Sequence, residues 1–346
     1  MYLCNCIPDT DGLHKHADRK HTVQRKKEGI RLYIDMRKEI LYSLKAPYRD
    51  DLRVTGYRFG FGEKTACIVG ALRGNEVQQL YICSLLIQKL KELEAHGHIT
   101  QNHEILVIPS VNHYAMNIGK RFWAVDNTDI NRKFPGIENG GTTERIAAGV
   151  MECIKGYSYG IQFASFYMPG HFIPHVRMME TAHSSASLAN LFGLPYVVLR
   201  KPKPYDTTTL NYNWQISGTN AFSVYTNDTE NINEESAQMA VSAVLRFLTR
   251  MGVLKYNCHG GYIASVIRED ELTAIHAERS GIFRPILHPG DEVIRGQIMA
   301  RILDPYEGTV RENITSPTDG IVFFTHQKPL VNQKDLVFTM IRRLHA

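Results

Sequence analysis

No apolar run in this chain approaches the ~18 residues that a membrane-spanning helix needs, and no long run of single-sign charge breaks its mixed composition. The first absence excludes an ordinary helical membrane protein. The second, with a formal net charge of only +5, argues against a nucleic-acid-binding surface and implies mild attraction for anionic small molecules. Cysteine is sparse as well: six are scattered over 346 positions. That excludes the dense disulfide framework of small secreted domains and makes a reducing, cytoplasmic setting the expectation. Residues 1–20 lack the apolar stretch of a secretory signal, in line with that compartment.

What is present is ordinary for a globular protein, 43% hydrophobic and 22% charged, in a length that suits one large domain with a smaller one attached. Residues 1–28 are polar and His-rich without hydrophobic period. They are expected to be a disordered extension, or to lie upstream of a start at Met36. A metal site built from Cys4, Cys6, His14, His16 and His21 is the less favoured reading.

From about residue 29 apolar strand-like runs alternate with helical patterns. Strands are expected at 66–69, 104–109, 160–164, 194–199 and 221–225, and helices at 76–94 and 234–251. In the first helix Leu80, Cys83, Ile87 and Leu90 recur at helical spacing. Strands alternating with helices predict an α/β domain, 29–254, built on a mainly parallel sheet. After Tyr256 short β segments are punctuated by Gly260-Gly261, Pro289-Gly290-Asp291, Glu307-Gly308 and Asp319-Gly320, which predicts a small all-β domain of hairpins over 255–346.

Four segments put chemistry-bearing residues at expected strand ends. The first, Gly70-Ala71-Leu72-Arg73-Gly74-Asn75-Glu76, is a strand-to-helix turn holding Arg73 and Glu76. The second runs from Arg121 through Asp129, Ile130, Asn131 and Arg132 to Phe134-Pro135-Gly136. The third, Tyr159-Gly160-Ile161-Gln162-Phe163-Ala164-Ser165, and the fourth, Thr219-Asn220-Ala221-Phe222-Ser223-Val224-Tyr225-Thr226, close two further strands. In this order the four resemble the aspartoacylase/succinylglutamate desuccinylase family of zinc-dependent acylases, over roughly 42–341. The resemblance implies a zinc-carboxypeptidase-like fold: a mainly parallel mixed sheet flanked by helices, plus a small C-terminal all-β domain. It also implies hydrolysis of a small carboxylate-bearing N-acyl amino acid or amide, with zinc as the family's cofactor.

The resemblance departs from the family where the zinc chemistry resides. The family's first turn carries a His and a Glu that bind the ion; Glu76 is retained, and Arg73 stands at the His position. A guanidinium stays protonated and has no lone pair to give a cation, so an Arg73–Glu76 ion pair is expected instead. Ala164 falls at the family's second His position, with Gln162 beside it or, in an alternative register, in its place. Tyr225 falls where the family has its general-base Glu; a phenol titrates near ~10 and is a poor base at neutrality, although it can donate to an oxyanion. The second segment keeps its pattern, so Arg121, Asn131, Arg132 and Asp129 are the expected substrate-binding residues. Arg is suited to this because its planar fork grips a carboxylate with two hydrogen bonds. Glu76 is the one family metal-ligand position retained, and Arg73 and Tyr225 are the candidates for electrostatic catalysis in place of zinc.

Two function classes remain open at this point: an enzyme that does not use the usual zinc mechanism, and a non-catalytic binder that kept the pocket. A metal enzyme with a rearranged site is a further alternative, drawing on His171, His175, His113 or His183, although Pro169, Gly170 and Pro174 argue against a metal-binding helix there. Solvent-facing or hydrogen-bonded loop histidines are the plainer expectation, and Arg177 is a further possible anion contact. No metal is assigned to this chain, the expected partner is a small carboxylate ligand, and homo-oligomerisation is open. The C-terminal segment also resembles biotinyl and lipoyl carriers, but no Lys lies in 318–324, so a wall over the site is the expected role.

Overall fold

The computed structural model describes residues 36–46, 50–166, 168–181 and 185–343, all within one compact unit, 34–346. The expected extension at 1–28, with its Cys and His residues, and His183 lie outside the described residues.

Eight strands form the main sheet. They are β1 (Arg37–Leu44), β2 (Leu52–Ala71), β3 (Asn102–Ser110), β4 (Tyr159–Ala164), β6 (His175–Met179), β7 (Tyr196–Arg200), β8 (Asn220–Tyr225) and β9 (Ser265–Arg268). A short strand, β5 (Gly170–Phe172), belongs elsewhere. The order is β1-β2-β4-β8-β6-β7-β9 with β3 on the far side of β2. β2 pairs in parallel with β3 and β4, β4 with β8, and β7 with both β6 and β9, while β1 and the β6–β8 pair run antiparallel. The sheet is therefore mainly parallel and mixed, as expected.

Its strands read as continuous apolar runs because both faces are covered. Ile68, Ile161, Phe163, Phe222 and Val224 point to one face, under helices α1 (Val77–Ala95) and α6 (Glu234–Arg250). Cys67, Val69 and Ala221 point to the other, under α3 (Thr142–Ile154) and α5 (Leu210–Ile216). Two small helices, α2 (His113–Met116) and α4 (Ala186–Asn190), complete the set. In α1 the fully buried Ile82, Cys83, Leu86 and Leu90 follow the 3.6-residue period. No described helix is long and apolar enough to cross a membrane.

Two antiparallel sheets follow, built from strands between Thr273 and Arg342 around Phe283, Val322 and Phe338. The boundary expected near Leu254 does not divide the chain cleanly. β9 lies beyond it and yet completes the main sheet against β7. In exchange, β5 leaves the α/β segment to pair with Gly320–His326. The sequence concealed β9 because it is a short, poorly buried edge strand (burial pattern eeii), without the alternation that marks a strand.

Candidate functional site

The parallel strands β2, β4 and β8 end side by side, and the loops leaving their C-terminal ends make a cleft, the usual ligand position in such sheets. The turn after β2 is tight. Gly74 donates its N–H to the carbonyl of Arg121 at 3.0 Å, and a Cβ there would stand 2.3 Å from the Lys120 carbonyl oxygen. Only glycine lets these two loops meet, and their meeting brings Arg73 to Asp129, 56 positions on.

Arg73 is almost completely buried. Its Nε and Nη2 grip the Asp129 carboxylate at 2.9–3.1 Å, and its Nη1 donates to Glu76 Oε1 at 3.1 Å. Burial works against the charge, but the two carboxylates outweigh it and hold the guanidinium more firmly protonated than a free arginine. Glu76, fully buried, has no oxygen to spare: Oε2 accepts from the backbone N–H groups of Leu72 (2.8 Å) and Arg73 (3.0 Å), and Oε1 also accepts from Ser165 Oγ. The expected Arg73–Glu76 contact is present, and Asp129 completes it. Asp129 also caps the short helical turn Ile130–Arg132 by accepting from Asn131 N–H at 3.0 Å. This corrects its expected role: its oxygens are taken by the protein, and it stands behind the cleft, not in its lining.

The cleft itself holds a cavity of about 80 Å³, room for the end of a small molecule. Arg73, Asn131, Arg132 and Tyr225 line it, as do Gln162 and Ala164. Arg121 does not: it faces a neighbouring cavity across Phe166, which lines both. Asn131 is fixed by accepting from Leu210 N–H at 3.1 Å, at the start of α5. Arg132 is the most exposed arginine of the cleft, its side chain 36% exposed; its Nη1 donates to the Tyr205 carbonyl and lies 3.7 Å from Asp206. Tyr225 lies flat on His175, with ring centres 5.0 Å apart and planes 2° from parallel, and the Arg177 guanidinium sits over its other surroundings at 5.6 Å from the ring centre. The Tyr225 hydroxyl makes no hydrogen bond among the described residues.

Sequence reasoning named Arg177 and Gln162 but missed Arg200, Asp206 and Glu269. Arg200, at the end of β7, donates to Asp206 at 2.8 Å and lies 3.2 Å from Glu269, which also pairs with Arg177. Arg132, Asp206, Arg200, Glu269 and Arg177 thus form one alternating chain of charge. The expected strand had stopped at Leu199, one residue short of Arg200, and Glu269 follows the unrecognised β9. Gln162 is a further lining residue: it is 2% exposed and its Nε2 is sealed from solvent without a partner.

The histidines are not gathered. Of the solvent-facing or hydrogen-bonded loop position expected, His175 is hydrogen-bonded, donating from Nδ1 to the Ile173 carbonyl at 2.8 Å, but it opens β6 and is fully buried. Burial depresses its pKa to about 3, against a smaller opposing pull from that hydrogen bond. His171 lies on β5 beside Asn227, and His113 opens α2 with its pKa lowered by burial. Among the described residues no three His, Cys, Asp or Glu side chains come together as a metal site.

A model of the succinylglutamate desuccinylase/aspartoacylase catalytic domain matches residues 63–251, more than half of the chain. The chain belongs to this family. Among curated proteins it is similar to the N-alpha-acetyl-L-2,4-diaminobutyric acid deacetylase of Halomonas elongata, 22% identical over 322 residues that cover 85% of this chain and 89% of that one. Among solved structures it resembles the succinylglutamate desuccinylase/aspartoacylase of Rhodobacter sphaeroides (TM-score 0.70, 20% identity, 85% of this chain and 90% of that one). It also resembles the product-bound ectoine utilization protein EutE (DoeB) of Ruegeria pomeroyi (TM-score 0.74, 20% identity, 90% and 96%). The family is one of acylases and deacetylases, and the two-part architecture is its fold. Its zinc does not fit the residues in this cleft: a guanidinium fills the space between the carboxylates of Glu76 and Asp129, and Ala164 has no donor atom.

Proposed function

We propose that this chain binds a small carboxylate-bearing N-acyl amino acid or related amide in the arginine-lined cleft, and that it does not hydrolyse it by the zinc mechanism of its family. One observation carries the reading: the Arg73 guanidinium is bonded to both Glu76 and Asp129 in the buried turn where a metal ligand set would have to assemble. A zinc hydrolase needs the ion to bring its bound water towards pKa ~7 and a base to take the proton. Glu76, Asp129, Asp206 and Glu269 each hold an arginine, so none of them stands free to take a water's proton.

Binding chemistry survives. Arg132 is partly exposed; it donates to the Tyr205 carbonyl and stands 3.7 Å from Asp206, which Arg200 also holds, so a ligand carboxylate can recruit it without leaving Asp206 unpaired. The unpartnered Nε2 of Gln162 supports a hydrogen bond to a ligand oxygen deeper in the cavity. The free hydroxyl of Tyr225 supports another to an acyl carbonyl, and this favours a second reading, slow metal-independent turnover through electrostatic stabilisation.

Calorimetric titration with N-acetyl-2,4-diaminobutyrate, N-succinylglutamate and an N-acyl aspartate tests the first reading. One of them is expected to bind, with at least a tenfold loss in Arg132→Ala, and amine release is expected to stay at background with or without added zinc. Stoichiometric zinc that survives dialysis, with amine release abolished by a chelator, would overturn it. Chelator-insensitive release lost in Tyr225→Phe would select the second reading.

A further inference from the structure

Besides Arg132, two strand-borne arginines line the cleft, Arg177 and Arg200. Arg177 lies on β6 beside Val198 of β7, and Arg200 stands two residues beyond Val198, so both side chains leave the same face of the sheet. β9 runs parallel to β7 with Arg268 beside Leu199. The chain therefore leaves the sheet next to Arg200, into the helical turn Glu269–Glu271. That exit brings Glu269 to both arginines: one of its oxygens pairs with Arg177 Nη2, and the other lies 3.2 Å from Arg200 Nε.

Neither arginine depends on Glu269 for its place. The Arg177 guanidinium sits 5.2 Å from the ring centre of Phe166 and 5.6 Å from that of Tyr225, and Arg200 donates to Asp206 at 2.8 Å and to the Tyr205 hydroxyl at 2.9 Å. Aromatic rings hold a cation without cancelling its charge; a carboxylate cancels it. Among the described residues, Glu269 is the one carboxylate that pairs with Arg177. Its side chain is 31% exposed and is not part of the cavity lining. Glu269 thus neutralises one wall of the cleft from outside, without filling the space a ligand would take.

We propose that Glu269 is a specificity-determining residue, which makes the cleft a site for ligands with a single carboxylate, taken at Arg132, and turns away a second one. The proposal rests on the reading that an N-acyl amino acid binds in the arginine cleft. A second carboxylate entering beside Arg177 meets a guanidinium whose charge is already matched, with a like charge immediately behind it, and such juxtaposition is how a site rejects a near-identical ligand. A carboxamide of the same shape meets no such repulsion and still accepts a hydrogen bond from the arginine. Glu269 lies beyond the catalytic-domain match at 63–251, so this discrimination is supplied by the segment that follows it.

Calorimetry on the full chain with N-acetyl-L-asparagine and N-acetyl-L-aspartate, which share a shape and differ by one charge, tests the proposal in the parent and in Glu269→Gln. The parent is expected to bind the asparagine compound at least tenfold more tightly. Glu269→Gln is expected to gain at least tenfold for the aspartate compound, with the asparagine compound changed by less than threefold, and adding Arg177→Gln is expected to remove the gain. A purely structural role for Glu269 would weaken both ligands together, and circular dichroism checks the fold. A parent that does not discriminate, or that prefers the aspartate compound, would overturn the proposal whether or not the variant folds; so would a variant that shifts both ligands alike. In either case the cleft would remain a binding site. Binding of neither compound to either protein would overturn both readings, whereas a variant that captures the aspartate compound where the parent binds neither would support the role of Glu269 alone.

Discussion

Arg73 shows how one side chain can set a site's chemistry. It places a permanent positive charge where two carboxylates converge, and all three groups are withdrawn from water. Such a buried triad need not be more stable than an apolar replacement, but losing one member strands the others. Arg73→Ala is therefore expected to lower stability by about 3–5 kcal/mol, read as a shift in the urea midpoint. Arg132→Ala should cost less, about 1 kcal/mol, because its side chain is 36% exposed and the buried Asp206 it faces keeps Arg200 as a partner. Equal losses for the two variants would contradict this account of the turn. His175 makes a second prediction at this scale. Its folded pKa of about 3 lies far below the ~6.5 of an unfolded histidine, so as pH falls the unfolded chain takes up a proton that the folded chain refuses. Its contribution is complete above pH ~6.5 and is lost towards pH 3, at up to about 1.4 kcal/mol per pH unit. Denaturant midpoints between pH 7 and 5 should fall less steeply for His175→Phe than for the parent chain.

Among the elements, β5 does the most with the least sequence. Three residues carry the chain from the main sheet into the C-terminal one, where Gly170, His171 and Phe172 pair with His326, Thr325 and Phe324. A Cβ on Gly170 would stand 2.7 Å from the Thr325 carbonyl oxygen and closer still to the Phe324 ring, so backbone would have to move. Gly170→Ala is expected to cost about 1–3 kcal/mol by overpacking. A variant with an unchanged melting temperature would show that the strand seats differently. The elements legible in the sequence were those with long apolar periods: α1, α6 and the buried strands β3, β4, β7 and β8. β2 was read only at its fully buried end, 66–69, since its first half is partly exposed. β6 is short and gave no strand signal, and α3 gave none of a helix although Ile146, Val150 and Ile154 recur on one face.

For the whole molecule, the exchange of β5 and β9 means that neither half is a complete domain. Phe172, Ile173 and Val198 of the α/β half form one buried cluster with Phe323 and Phe324 of the other. A fragment ending at 254 would leave β7 as an open edge and this cluster exposed, which is a template for aggregation. Such a fragment is expected to be largely insoluble or to scatter light where the full chain does not. A monomeric fragment with a cooperative melt would show that the halves are separable after all.

The sequence by itself determined the fold class, the family and the identity of each side chain at the strand ends. It also settled that Arg73 cannot offer a lone pair, because that is a property of a guanidinium in any surroundings. Only the tertiary structure decided what the charges do. Asp129 turned from a substrate contact into the partner of Arg73, Arg121 faced away into a second cavity, and Arg200 and Glu269 joined the site unannounced. Local pattern reports whether a residue lies on a strand or a helix, because neighbours in the chain set that. Which charges meet depends on the register of strands brought together from distant parts of the chain, and no local period records it.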